Sequence, residues 1–261
     1  MELKIYQIDA FSEKVFGGNP AAVVPLTEWL EDETLQKIAM ENNLSETAFY
    51  VREEKNIVLR WFTPGTEVDL CGHATLATAH VLFEHEGFED SEISFFSPRS
   101  GVLKVKKEGN QLVMDFPLDL IQEIELTEQL TKPFNPKPIQ AFKGKSDYIL
   151  IFENENQIRN LNFDLSRIAK LPVRGVVVTA KGNTVDFVSR FFGPQVGVPE
   201  DPVTGSAHTS LTPIWSQKLG KEILTAVQVS AREGKIGCKL LGERVILTGN
   251  AVTYLIGKIY T

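Results

Sequence analysis

Apolar positions along this chain change period several times, and each change marks an element. Alternation of apolar and polar residues predicts strands at Lys4 to Ala10, Glu46 to Arg52, Ile57 to Phe62, Glu92 to Phe96, Gly101 to Lys107 and Gln111 to Phe116. A glycine-rich turn, Phe16-Gly17-Gly18-Asn19-Pro20, leads into a short apolar strand, Ala21 to Pro25. From Glu31 to Asn42 the spacing becomes helical, with Leu35, Ile38 and Ala39 on one face and acidic residues at the start. From Gly72 to about Glu86 the chain is apolar nearly all round, which predicts a helix enclosed by other elements. Leu118 to Pro138, polar and with three prolines, reads as a connection. Beyond it, strands are predicted at Tyr148 to Glu153, Gly175 to Ala180, Thr184 to Phe192, Gln228 to Ala231, Lys235 to Leu240, Arg244 to Leu247 and Ala251 to Lys258. A capped helix is predicted at Asp164 to Ala169 and a second buried helix from Gly205. Many short antiparallel strands around one buried helix per half predict an α+β fold, not a parallel βαβ sheet.

The two buried helices share a diverged approach. Arg60-Trp61-Phe62-Thr63-Pro64 leads to Glu67 and then to Cys71-Gly72-His73-Ala74. Arg190-Phe191-Phe192-Gly193-Pro194 leads to Glu200 and then to Thr204-Gly205-Ser206-Ala207. Aligning the glycines superposes Arg60 on Arg190 and Glu67 on Glu200, if the second copy carries an insertion after Pro194. The chain therefore reads as two similar halves, 1–117 and 118–250. Each strand–turn–helix junction leaves backbone N–H groups and the helix dipole pointing outward, which favours anions.

Composition narrows the partners. Apolar content of 43% and charged content of 23% supply a core for each half. A net charge of −7 argues against nucleic acid or an anionic membrane. No apolar stretch is long enough to span a bilayer, and the N-terminus lacks the apolar core of a signal peptide. The two cysteines, Cys71 and Cys238, follow no disulfide framework, so a reduced cytoplasm is the expected compartment.

Candidate chemistry gathers at the two helix starts. Gly72 and Gly205 either permit tight turns or present amides to a carboxylate or developing enolate. Retention of both turns through a duplication favours the second. Asp201 reads as a turn former or N-cap, or as a ligand-binding carboxylate. His73, at a helix start, reads as a backbone-bonded histidine or as a hydrogen-bonding partner of substrate. Glu46 is either a surface glutamate or a carboxylate desolvated by Leu44 and Phe49 for acid/base work. Cys71 is either a dipole-activated thiol or a small buried hydrophobe. His80 and His85 read as structural. The four histidines show no HExxH or paired spacing, so no metal is expected.

These segments together resemble the phenazine-biosynthesis PhzF-like family, within the diaminopimelate-epimerase-like fold. The resemblance rests on Asp9-Ala10-Phe11 with Gly18-Asn19-Pro20-Ala21, Asn43-Leu44-Ser45-Glu46-Thr47-Ala48-Phe49, Asp69-Leu70-Cys71-Gly72-His73-Ala74-Thr75 and the run Glu200-Asp201-Pro202-Val203-Thr204-Gly205-Ser206-Ala207-His208. It also takes in Gln228, Ser230, Arg232 and Gly234. It implies two similar domains related by a pseudo-twofold axis, each a buried helix wrapped by a mostly antiparallel sheet, with the two helix N-termini facing one cleft. The C-terminal strand, 251–261, is expected to cross back to the first half. By resemblance Glu46 is the acid/base that moves a proton on a small carboxylated metabolite. His73, Asp201 and Ser206, with the Gly72 and Gly205 amides, bind it. No cofactor is implied, and a homodimer is expected. Relatives that epimerise amino acids use a cysteine at each helix start; Cys71 matches the first, and Thr204 replaces the second. That leaves an epimerase using Cys71, or a metabolite-binding protein without turnover, as alternatives.

Overall fold

The computed structural model describes residues 1–53 and 56–261, which divide into two compact units. Met1–Asp115 and Thr248–Thr261 form the first, and Phe116–Leu247 the second.

In the first unit β1 (Glu2–Ala10), β2 (Asn19–Leu26), α1 (Asp32–Asn42), β3 (Glu46–Glu53), β4 (Asn56–Phe62), β5 (Glu67–Val68), α2 (Gly72–Glu84), β6 (Glu92–Ser97), β7 (Gly101–Glu108) and β8 (Gln111–Pro117) follow in order. Helix α2 is enclosed as its composition requires: His73 to Ala79, Val81 and Leu82 are all buried. It packs against β1, β2, β3 and β7. The tight β1–β2 connection depends on Gly18. It sits at φ +63°, and a Cβ there would lie 2.1 Å from the Ala10 carbonyl oxygen. On the other side of the sheet α1 lays Leu35, Ile38 and Ala39 on Val24, Phe49 and Phe62. Phe49 and Phe62 meet edge to face at 5.6 Å.

In the second unit β9 (Gln122–Ile124), α3 (Glu128–Thr131), β10 (Phe134–Asn135), β11 (Gln140–Lys143), β12 (Asp147–Ile151), α4 (Glu155–Arg159), β13 (Asn162–Phe163), α5 (Leu165–Ile168), β14 (Gly175–Lys181), β15 (Phe187–Gly193), β16 (Val198–Asp201), α6 (Gly205–Leu219), β17 (Ile223–Gln228), β18 (Gly234–Leu241) and β19 (Arg244–Gly249) follow. The last strand, β20 (Ala251–Tyr260), pairs antiparallel with β1 along its whole length. Around α6, Leu211, Ile214 and Trp215 are buried, and Trp215 stacks on Phe187 at 5.8 Å.

The fold is α+β with mostly antiparallel strands and few helices. The two units also repeat one scheme strand for strand. Strands β2 and β3 run parallel across α1, and β4 and β6 parallel across α2. Likewise β12 and β14 run parallel across α4 and α5, and β15 and β17 across α6. These are the parallel exceptions in a mostly antiparallel fold: each helix serves as a crossover, which parallel pairing requires. The segment read as a connection carries β9, which pairs with β11, and the short α3. The strand placed at Gln228 to Ala231 lies earlier, at Ile223–Gln228.

Candidate active site

The start of α2 gathers Glu46, His73, Cys71 and Asn19. Glu46 opens β3, whose parallel register pairs it with Ala21, beside Asn19 on β2. Cys71 is the extended residue before the helix, and His73 the second residue inside it. Glu46 Oε2 lies 3.1 Å from His73 Nε2, with side-chain exposures of 16% and 6%. Neither of these buried atoms has a hydrogen-bond partner in good alignment. On the other edge of the ring, Nδ1 faces the Asn19 amide nitrogen at 3.3 Å and the Cys71 sulfur at 3.4 Å. The first amides of α2 have no intrahelical acceptor, so donors, an imidazole and a carboxylate share one small buried region.

Burial pulls the His73 imidazole down, but the Cys71 sulfur and the Glu46 carboxylate more than offset it, and His73 ends well above its ordinary value. Burial, and secondarily the Glu46 charge, push the Cys71 thiol up to about 11. At neutral pH it is a thiol and a poor nucleophile or base. Glu46, Cys71 and His73 each bring one ligating atom within 4.8 Å of the others, a donor set chemically able to hold a soft divalent cation. The imidazole turns Nδ1 to Cys71 and Nε2 to Glu46, so one ion would have to reorient the ring to use all three. That cluster is absent from the linear spacing because strand register, not sequence proximity, supplies Glu46.

The start of α6 gathers Asp201, Gly205 and Ser206. Asp201 ends β16 and is buried; it accepts from Thr204 Oγ1 at 2.5 Å. The fully buried Gln228 ties this corner down, donating to the Asp201 carbonyl at 2.7 Å and accepting from Thr204 N at 2.9 Å. Ser206, the second residue of the helix, is exposed and accepts from Arg174 Nη2 at 3.0 Å. Arg174 also binds Asp147 through Nε at 3.0 Å and through Nη2, and lies over the Phe191 ring. Sequence reasoning missed Arg174 and Asn19. An arginine directly before the strand opening at Gly175 was the available signal for the first. So the structure brings Glu46, Gly72 and His73 together in one unit, and Asp201, Gly205 and Ser206 together in the other.

One construction approaches both helices. Arg60 donates to Glu67 from Nε at 2.7 Å and from Nη2 at 2.9 Å. Arg190 donates to Glu200 through the same atoms at the same two distances. Each guanidinium lies 5.1 Å from the centre of the phenylalanine two residues on, Phe62 or Phe192. The insertion in the second copy is taken up by a single 3₁₀ turn, Pro194–Val196, closed by Gly197 at φ +80°.

Residues 8–257 match the phenazine biosynthesis-like protein family, PhzC-PhzF. The chain belongs to this family. An uncharacterised isomerase of Pseudomonas aeruginosa is 51% identical over 260 residues, covering all of both chains. A PhzF-family protein of Enterococcus faecalis, known as a crystal structure, is 43% identical and superposes with a TM-score of 0.97 over all of both chains. More distantly, a hydroxyproline epimerase of Agrobacterium vitis superposes with a TM-score of 0.62 at 9% identity, over 99% of this chain and 92% of that one, a likeness of fold alone. This PhzF-like protein thus has the diaminopimelate-epimerase-like fold, and its curated relatives are isomerases. Among the described residues no helix is long and apolar enough to cross a membrane.

Proposed function

We propose that this PhzF-like protein is an isomerase that moves a proton within a small carboxylated metabolite, with Glu46 as the proton carrier and no cofactor. The observation that carries the reading is the buried, unsatisfied pair Glu46 Oε2 and His73 Nε2, 3.1 Å apart at a helix start. Burying two polar atoms without aligned partners costs free energy, of the order of 1–3 kcal/mol each. Such a cost persists where a ligand supplies the missing bonds. The carboxylate takes a proton from a substrate carbon beside an electron-withdrawing group, the electron pair delocalises, and the Glu46 carboxyl group, its proton exchanging with solvent meanwhile, returns a proton at another carbon. No atom is gained or lost. His73 holds the carboxylate and the developing charge in place, and the Gly72 amide donates to the delocalised oxygen. Asp201, Gly205 and Ser206 are assigned to substrate binding within the same proposal. An epimerase built on Cys71 has less support, because its thiol is neutral and 6% exposed.

The test follows deuterium from D2O into candidate unsaturated carboxylic acids by NMR. The wild type should place label at the carbon that gains the proton. Glu46→Gln should lose about 10²- to 10⁴-fold of that rate while retaining its fold. Incorporation within a few-fold of wild type by Glu46→Gln would exclude the glutamate, and its loss in a folded Cys71→Ser variant would transfer the role to the thiol.

A further inference from the structure

The repeated scheme puts a question to the second unit. In β3, Thr47 stands opposite Phe62; in β14, Val176 stands opposite Phe192. One step earlier, Glu46 and Gly175 occupy equivalent positions. Nothing but glycine fits at 175, since a Cβ would lie 2.4 Å from the Phe191 ring and 2.9 Å from the Phe192 carbonyl oxygen. The side chain that reaches the helix start is therefore supplied one residue earlier, by Arg174. Its contact there is Ser206, the equivalent of His73 when Gly72 and Gly205 are aligned. Where one helix start faces a carboxylate, the other faces a guanidinium.

The geometry points to Arg174 as the residue that recognises the substrate's carboxylate, an assignment resting on the carboxylated-metabolite reading above. A guanidinium carries five N–H donors. Nε and one Nη2 proton go to Asp147, and the other Nη2 proton to Ser206. The two Nη1 protons meet no acceptor among the described residues, and the side chain is 37% exposed, so this edge is open to a ligand. Ser206 Oγ accepts from Arg174 and keeps its own proton to donate. The open groups are thus all donors: an Arg174 edge and a serine hydroxyl. Their complement is a planar anion with several lone pairs, which a carboxylate provides. Asp147 holds the guanidinium in orientation, as Phe191 does from one face. Asp201 and Asp119 act on Arg174 only through space, and a directly bonded carboxylate outcompetes such neighbours at contact distance.

The experiment uses the full chain, labelled with 15N in its arginine side chains, titrated with benzoate and, in parallel, with benzamide as the neutral analogue. Benzoate should shift the Arg174 side-chain resonances saturably, and benzamide should not. Arg174→Gln should bind benzoate about ten- to a hundredfold more weakly. Arg174→Lys, which keeps a charge for Asp147 but loses the planar fork, should fall between. Absence of a saturable benzoate shift at Arg174 in the wild type overturns the assignment, as does undiminished binding by a folded Arg174→Gln. The wild-type titration decides the matter even if the glutamine variant fails to fold. Because the readout is binding, failure of deuterium incorporation would leave it standing, and its failure would leave Glu46 untouched.

Discussion

Two segments of this molecule share a scaffold and differ in chemistry. The strand carrying Arg60 and the strand carrying Arg190 each end in the same arginine–glutamate clamp over the same phenylalanine. Past the clamp every polar group changes. Cys71 becomes Thr204, His73 becomes Ser206, Glu46 becomes Gly175, and Thr75 becomes His208. Even then the local bonds persist. Thr75 Oγ1 donates to the carbonyl four residues back at 2.6 Å, and His208 Nδ1 reaches its own i−4 carbonyl, that of Thr204, at 2.8 Å. What the two units have in common is the arginine–glutamate clamp on the approach to the helix. On the proton-transfer reading proposed above, one helix start carries the proton carrier and the other binds, so identical helix starts would be redundant.

The clamps should break unequally. Glu67 also accepts from Arg99 at 2.7 Å, whereas among the described residues Glu200 pairs only with Arg190. Arg190 further donates to the Ile158 carbonyl at 3.2 Å. Truncating Arg190 therefore strands a largely buried carboxylate and a carbonyl, while truncating Arg60 leaves Glu67 a second cation. Arg190→Met should cost about 2–4 kcal/mol in urea unfolding and Arg60→Met about 1–2, the usual penalty for an orphaned buried charge being discounted for partial exposure. Equal losses, or a larger loss at Arg60, would mean that the clamps are not the shared mechanical element.

How far the sequence reveals this depends on what each feature requires. Aligning two glycines finds Arg60 with Arg190 and Glu67 with Glu200, because a clamp closed within ten residues is a local pattern. Helix α2 is equally readable, since a helix apolar on every side can only be enclosed. Strand order is another matter. Period-two alternation is the same in parallel and antiparallel pairs, so the crossovers through α1 and α2 leave no mark in it. Strand β9 escapes because Gln122, Glu123 and Ile124, none of them buried, show no alternation. Arg174 escapes for a subtler reason. Its equivalence to Glu46 is displaced by one residue, and only the ladder register with the bulk of Phe191 against Gly175 exposes the shift. The roles themselves are not readable from either helix start alone, because Glu46 reaches His73 through pairing of distant strands.

The Thr75–His208 difference can be sharpened with pH. Burial depresses the His208 imidazole to about 4, and its bond to the Thr204 carbonyl only partly opposes this. An unfolded chain binds that proton near pH 6.5, so the group favours the folded state above 6.5 and its contribution is lost as pH falls toward 4. The full span is worth up to about 3 kcal/mol on that linkage. His208→Thr copies the hydroxyl bond of Thr75 and should cost about 1–3 kcal/mol at pH 7 from lost ring packing against Phe187. Its unfolding free energy should then decline less between pH 6.5 and 4 than that of the wild type. The decline will not vanish, since His80, also held at about 4, remains. Parallel curves for the two proteins would show that His208 is not a source of acid lability.

The smallest effect is expected where the two helices differ by a single capping residue. Cys71 and Thr204 both sit in extended conformation before their helices, at φ −138° and −115°, and neither side chain caps a helix amide. Thr204 spends its hydroxyl on Asp201, whereas the residue aligned with Asp201 in the first copy is Val68, which offers no acceptor side chain. A hydroxyl introduced by Cys71→Ser can therefore turn to the first amides of α2, which lack intrahelical acceptors, and act as an N-cap, which is worth about 0.5–2 kcal/mol. Against that stand the desolvation of the hydroxyl and the loss of the sulfur's contacts, of similar size. The sum should lie within about 1 kcal/mol of zero, and serine, like the neutral thiol, can still bond His73 Nδ1. Stability in urea should hardly move, and the proton transfer proposed for Glu46 should persist within a few-fold. A fall in rate as large as that of Glu46→Gln, in a variant equally stable, would mean that the first helix start uses its cysteine as a base and that the two starts diverged in a different chemistry.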